Sequence, residues 1–381
     1  MNFRFHVLGI PHTASNKDYL ACAFTQKVVN LCTLLRSYGH HVMHYGNEVS
    51  SVDCDEHVTV TTAHLLAPPE QSGSFDINGP IYRMFYDNVI AEIEQRKRAR
   101  DFLLCMWGAG HRPVADAHAD MIVVEPGIGY PGGHFARWRV YESYAILHAA
   151  YGLAAVERAN VADWYHVVIP NYFRIEDFEF CDRRDDYFLF LGFRSIGGEG
   201  KGIDLAIELA RAVKRPLVIA GPGDPRTLPE AVRRDPLVTF TGFVGVERRR
   251  ELLAHARAVL CPSLFVEPFC GAAIEAMLSG APVISTDWGA FAENNLHGLT
   301  GYRCRTFEQW IWAARNIDRI DPATCRAWAV ANFSIERVAP AYEEFWHAVM
   351  NVYTGKAGWY QDNPGRADLD YLARTYPQVM H

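Results

Sequence analysis

Two glutamates, Glu267 and Glu275, stand eight positions apart within the segment Leu264–Gly280. Between them lies Pro268-Phe269-Cys270-Gly271, a junction that closes one element and opens the next on small residues. A helix that begins this way points its first backbone N–H groups outward, and such a terminus attracts phosphate. Two carboxylates bracketing it would supply acceptors for sugar and ribose hydroxyls. No HExxH motif occurs among the 16 histidines, so a zinc site is not expected.

Elements must hold these groups in place. Apolar runs read as strands at Phe3–Leu8, His41–Tyr45, Phe102–Met106, Met121–Val124 and Val167–Pro170. Helical spacing marks Ala21–Tyr38, ended by Gly39, together with Pro80–Arg100 and Ala136–Tyr151. A glycine-rich loop, Pro126–Gly133, follows the fourth strand. In the second half, strands are expected at Tyr187–Leu191, Pro216–Ala220, Leu237–Phe240, Ala258–Cys261 and Pro282–Thr286. Helices are expected at Gly202–Val213, Glu247–His255 and Ser334–Tyr353. This alternation predicts parallel, doubly wound α/β sheets in both halves, whose ligands bind beyond the carboxyl ends of the strands.

Length and composition set the frame. A chain of 381 residues exceeds one ordinary core, so two domains are expected. The sequence divides into an N-terminal domain at 1–172, a charged linker at 173–186, a C-terminal domain at 187–340, and a helix and tail at 341–381 that pack back on the first domain. A net charge of -7 argues against nonspecific nucleic-acid binding. The basic clusters Arg96–Arg100, Arg233-Arg234 and Arg248–Arg250 read as solvated helix faces or ends. Nine cysteines without a CxxC pair read as reduced thiols. No apolar run is long enough to span a bilayer, and the N-terminal stretch is too short for a signal peptide, so stable membrane insertion is not expected and a cytoplasmic location is.

From about Tyr187 to Tyr353 the chain resembles retaining glycosyltransferases of the GT-B fold, family 4 (group 1) in particular. The resemblance rests on Phe190–Arg194 followed by Lys201-Gly202, then Val218–Asp224, then Val238–Phe243 leading to Val259–Ser263. The Leu264–Gly280 segment comes next, with Ser285–Gly289, Glu293 and Asn332–Val338 after it. It implies two Rossmann-like doubly wound domains facing a central cleft. It also implies roles. Glu267 would accept hydroxyls of the donor sugar and Glu275 the ribose diol. Pro268, Phe269, Cys270 and Gly271 would line sugar and diphosphate, with Gly221 and Phe243 completing the donor site. Arg194 and Lys201 would neutralise the leaving diphosphate as charge develops on it, with no metal or other cofactor. The usual pattern sets these two cations five steps apart; here seven separate them, with Ser195–Gly200 between.

The N-terminal half supplies thinner candidates. The loop after the first strand, where the family places donor and acceptor contacts, carries Lys17. Glu125 ends a strand and is a candidate base or acceptor ligand. His134 is a candidate sugar contact, as a histidine of this half is in relatives. Trp107, His111 and Tyr141 are acceptor-side candidates. The implied activity is transfer of a sugar from a nucleotide sugar, UDP-sugar first, to an acceptor hydroxyl. The acceptor stays open among glycan, small molecule, lipid-linked species and a modified DNA base of phage type. A GT-B epimerase or phosphorylase, and a non-catalytic nucleotide-sugar-binding protein, are the alternatives.

Overall fold

The computed structural model describes residues 2–71, 75–155, 162–192 and 200–359. The chain forms two compact units. The first comprises Met1–Glu142, Leu147–Tyr172 and Ile335–His381, and the second Ser143–Ile146 and Phe173–Ser334.

The first unit is built on a parallel sheet of β1 (Arg4–Leu8), β2 (His41–Asn47), β3 (Glu56–Thr61), β4 (Phe102–Leu104), β5 (Ile122–Ile128), β6 (Trp138–Tyr141) and β7 (His166–Val168), in the order β3-β2-β1-β4-β5-β6-β7. Its helices are α1 (Ala23–Ser37), α2 (Pro80–Arg96), α3 (Arg112–Ala117) and, from Leu147 onward, α4 (Tyr144–Ala155). The second sheet is also parallel: β8 (Phe188–Leu191), β9 (Leu217–Ala220), β10 (Val238–Gly242), β11 (Ala258–Cys261), β12 (Val283–Thr286) and β13 (Gly301–Cys304), in the order β10-β9-β8-β11-β12-β13. Around it lie α5 (Ile203–Val213), α6 (Glu230–Arg233), α7 (Val246–His255), α8 (Gly271–Leu278), α9 (Phe291–Asn294), α10 (Phe307–Asn316) and α11 (Pro322–Phe333). Central strands such as Phe188–Leu191 and Val283–Thr286 read as apolar runs because both sheet faces are covered by helices.

The last helix, α12 (Ile335–Thr354), belongs to the first unit although it follows the second in sequence. Trp346 on α12 is fully buried, with its ring 5.1 Å from Phe5 and 5.5 Å from Phe102. The unit boundary thus falls at Ser334/Ile335.

Three local expectations differ from what forms. The stretch read as one helix over Ala136–Tyr151 is β6 followed by α4. Trp138, Val140 and Tyr141 are aromatic or β-branched and suit a buried strand, and the Ser143 hydroxyl caps the new helix by accepting from Ile146 N at 3.2 Å. The edge strand β3 was missed, since its Glu-His-Val-Thr-Val-Thr pattern is largely polar. Phe173–Asp186, read as a linker, groups with the second unit. Phe173 N donates to Phe333 O at 2.8 Å, and Asp185 N donates to His255 O at 2.7 Å.

Burial also sets a pH dependence. His111 is fully buried, and burial drives its pKa down to about 3 against the smaller opposing effect of its hydrogen bond to the Gly9 carbonyl. Unfolded, it titrates near 6.5. Between these values the unfolded chain binds the extra proton, so stability is complete above about pH 6.5 and falls as the pH drops toward 3. The expected loss is about 1.4 kcal/mol per pH unit in that window. Denaturant unfolding at pH 6.5 and 4.5 checks it. The fall in stability should be shallower in His111→Asn, and equal slopes in both proteins would refute the assignment.

Candidate active site

In the second sheet the strand order reverses between β8 and β11, the place where open parallel sheets bind ligands. The loops leaving these two strands carry Lys201 and Glu267. The Lys201 ammonium donates to both Glu267 carboxylate oxygens, at 2.9 and 3.2 Å, and sits 4.7 Å from the centre of the Phe265 ring. Glu267 is buried, whereas the Lys201 side chain keeps 42% of its surface. Burial pulls the ammonium down, but the Glu267 carboxylate outweighs it and holds Lys201 above the ordinary lysine range.

Backbone contacts fix the pair. Leu264 N donates to Gly200 O at 2.6 Å, tying the lysine loop to the glutamate loop. Gly202 follows at φ 74°, so close to Pro262 that a Cβ there would lie 2.0 Å from its carbonyl oxygen. Glu267 itself is gripped from β12's far end: its carbonyl accepts from Ala290 N at 2.9 Å, and Gly289, at φ 62°, leaves no room for a Cβ beside the Glu267 backbone.

The Pro268–Gly271 junction is equally constrained. The Pro268 carbonyl accepts from Ser143 Oγ at 2.6 Å and the Phe269 carbonyl from Asn294 Nδ2 at 2.6 Å. Cys270 adopts a left-handed conformation, φ 66°, of the kind that concentrates at functional sites. It is the N-cap of α8 but makes no side-chain cap, so the helix opens at Gly271 with its terminus available to an anion. Glu275, one turn in, leans back over Gly271 as helical side chains do; a Cβ on Gly271 would lie 3.7 Å from Glu275 Oε1. Its other oxygen, Oε2, accepts from Arg249 Nε at 2.7 Å and pairs with Nη2 at 2.5 Å.

Arg249 was not singled out by sequence. Arg248–Arg250 reads as a solvated helix face, and Arg248 does pair locally with Glu251. Arg249 instead reaches from α7 to α8. Its neighbours in sequence give no signal for this; only the packing of the two helices does. Of the remaining second-half candidates, Gly221 follows β9 at φ 156° and Phe243 follows β10, half-buried. Arg194 lies outside the described residues.

The first-unit candidates behave differently. Glu125 has no exposed surface. Its Oε2 accepts from Phe135 N at 3.0 Å and Ala136 N at 2.9 Å, and its Oε1 from the Tyr130 hydroxyl at 3.1 Å. Burial raises its pKa against the pull of these donors and Arg139. This carboxylate ties its own glycine-rich loop together and does not face solvent. His134 Nε2 donates to the Tyr130 carbonyl at 2.8 Å, leaving Nδ1 to accept from Tyr141 OH at 3.4 Å; Tyr141 is itself buried. His111 is buried against Phe85 and donates through Nε2 to Gly9 O at 3.0 Å, so it supports the loop after β1 from within. Trp107 Nε1 donates to Tyr82 OH at 2.8 Å within a cluster of His12, Phe24 and Phe75. Lys17 is exposed. A buried pair missed by sequence, Lys27 with Glu142, lies nearby, and Glu142 also accepts from Asn171 Nδ2 at 2.7 Å.

Among the described residues, no three His, Cys, Asp or Glu side chains gather as a metal site, and no helix is long and apolar enough to cross a membrane.

Residues 185–317 match the family model described as glycosyl transferases group 1. The chain is 36% identical over 111 residues to an uncharacterised glycosyltransferase of Methanocaldococcus jannaschii, covering 26% of this chain and 28% of that one. It is 34% identical over 113 residues to the glycogen synthase of Mycobacterium tuberculosis, covering 27% of each. The match therefore spans under a third of these curated relatives. Likeness of fold extends much further. AviGT4, a glycosyltransferase involved in avilamycin A biosynthesis, superposes with a TM-score of 0.65 at 22% identity, covering 93% of this chain and 98% of that one. Anabaena HepE, solved in complex with UDP and glucose, gives 0.63 at 14% identity over 90% and 99%. The protein is a two-unit α/β chain of the GT-B fold, and its residues 185–317 are similar to the group 1 glycosyl transferases.

Proposed function

We propose that the protein transfers a glycosyl group from a nucleotide sugar, UDP-sugar first among the classes, to an acceptor hydroxyl with retention of configuration. The observation that carries this reading is the Lys201–Glu267 pair beside the uncapped start of α8, with Glu275 on the same helix turn. The helix terminus and Lys201 suit a diphosphate; the two carboxylates suit hydroxyls of sugar and ribose. Arg194, expected from the resemblance, would add a second cation. Fixed cations meet the charge of the departing diphosphate as it develops. Both oxygens of Glu267 are engaged by Lys201, which makes it a poor nucleophile. A front-face reaction is therefore favoured, in which the leaving phosphate oxygen takes the acceptor's proton.

A screen of nucleotide release across UDP-, GDP-, ADP- and dTDP-sugars tests the reading. One donor class should be turned over, and Glu267→Ala should lose at least about 100-fold of that rate. Tight binding of a nucleotide sugar with no release under any acceptor condition would instead mark a binding protein.

A further inference from the structure

We propose that Arg249 is the positioning residue that selects for ribose, acting through Glu275; this rests on the reading of Glu275 as a ribose ligand. Arg249 places two N–H donors on one carboxylate oxygen, Oε2. Among the described residues the other oxygen, Oε1, takes no hydrogen bond, and it lies over Gly271, where a Cβ would stand 3.7 Å from it. The guanidinium thus fixes the carboxylate's rotamer and turns one free acceptor toward the anion-binding end of α8. A planar fork loses little entropy in doing this.

Charge gives a second reason. A carboxylate next to a diphosphate site repels its ligand. Glu267 is neutralised by Lys201, and Glu275 by Arg249, so each acidic hydroxyl acceptor carries its own cation. Arg249 donates from α7, and its side chain is only 20% exposed, as is fitting for a group that touches the glutamate and not the nucleotide.

Titration calorimetry with UDP and 2′-deoxy-UDP tests this. Wild type should prefer UDP by about tenfold or more, the value of one hydrogen bond to a charged group. Arg249→Ala should bring that ratio near one, and Arg249→Lys should restore part of it. In a Glu275→Ala background, removing Arg249 should change UDP affinity no further. An Arg249→Ala variant that keeps the tenfold ratio overturns the proposal, as does a further loss of UDP affinity in the Glu275→Ala background, which would mean that Arg249 meets the phosphates directly. A wild type that binds both nucleotides alike removes the ribose role of Glu275, and the proposal falls with that reading and not through Arg249 itself. Thermal melts of each variant confirm that the fold is retained.

Discussion

Lys201→Ala is expected to lower kcat by about 100- to 1000-fold, equivalent to about 3–4 kcal/mol of transition-state stabilisation. Two effects follow from one deletion. The first is chemical: the cation facing the leaving diphosphate is gone at the moment charge develops. The second is structural: Glu267 is left buried and without its partner, and an uncompensated buried charge is strongly unfavourable. They separate experimentally. Saturating donor restores binding but not transition-state stabilisation, so the deficit should persist in kcat. The double variant Lys201→Ala/Glu267→Gln removes the unpaired charge, so it should recover thermal stability without recovering turnover. Lys201→Arg should recover little, because a planar fork on a longer stem does not place one compact charge at the same point. Full activity in Lys201→Ala would remove Lys201 from the chemistry.

How much of this was legible in the residues differs between the two units. In the second, strands such as Phe188–Leu191, Ala258–Cys261 and Val283–Thr286 are short apolar runs with turn residues at both ends, so their order and their loops could be read directly. That placed Lys201 and Glu267 on the loops that leave β8 and β11. Other signals were present but weak. Thr306 and Gln309 form a capping box at the start of α10, and Asp321 caps α11 ahead of Pro322, spacings that mark helix starts in any sequence. The Arg249–Glu275 pair left no such mark, because residues 26 apart meet only through the packing of α7 on α8. Glu125 shows the converse. Its place at a strand end was legible, but the glycine-rich loop that folds over it and supplies donors from Tyr130, Phe135 and Ala136 was not. Chemistry-bearing residue types were visible; which of them face solvent was decided by loop closure.

The same dependence on close backbone packing makes Gly202→Ala the most damaging conservative substitution expected near the site. Gly202 sits at φ 74°, in the left-handed region, where an alanine costs about 1 kcal/mol. Gly298, at φ 84°, shares that conformation, yet a Cβ there would meet nothing within 4 Å. Gly298→Ala therefore isolates the dihedral cost. At Gly202 the added carbon would stand 2.0 Å from the Pro262 carbonyl oxygen and 2.9 Å from its carbon, both backbone atoms that cannot rotate away. Relief requires the start of α5 to separate from the loop after β11, adding about 1–3 kcal/mol. For a unit of this size each kcal/mol moves the melting temperature by about 2–4 °C, so Gly202→Ala should melt about 4–16 °C lower and Gly298→Ala about 2–4 °C lower. Movement at Gly202 also carries its neighbour Lys201 away from Glu267. Turnover at a temperature where both variants remain folded should therefore fall in Gly202→Ala and stay near wild type in Gly298→Ala. Equal melting temperatures and equal rates for the two would mean that the approach to Pro262 positions nothing.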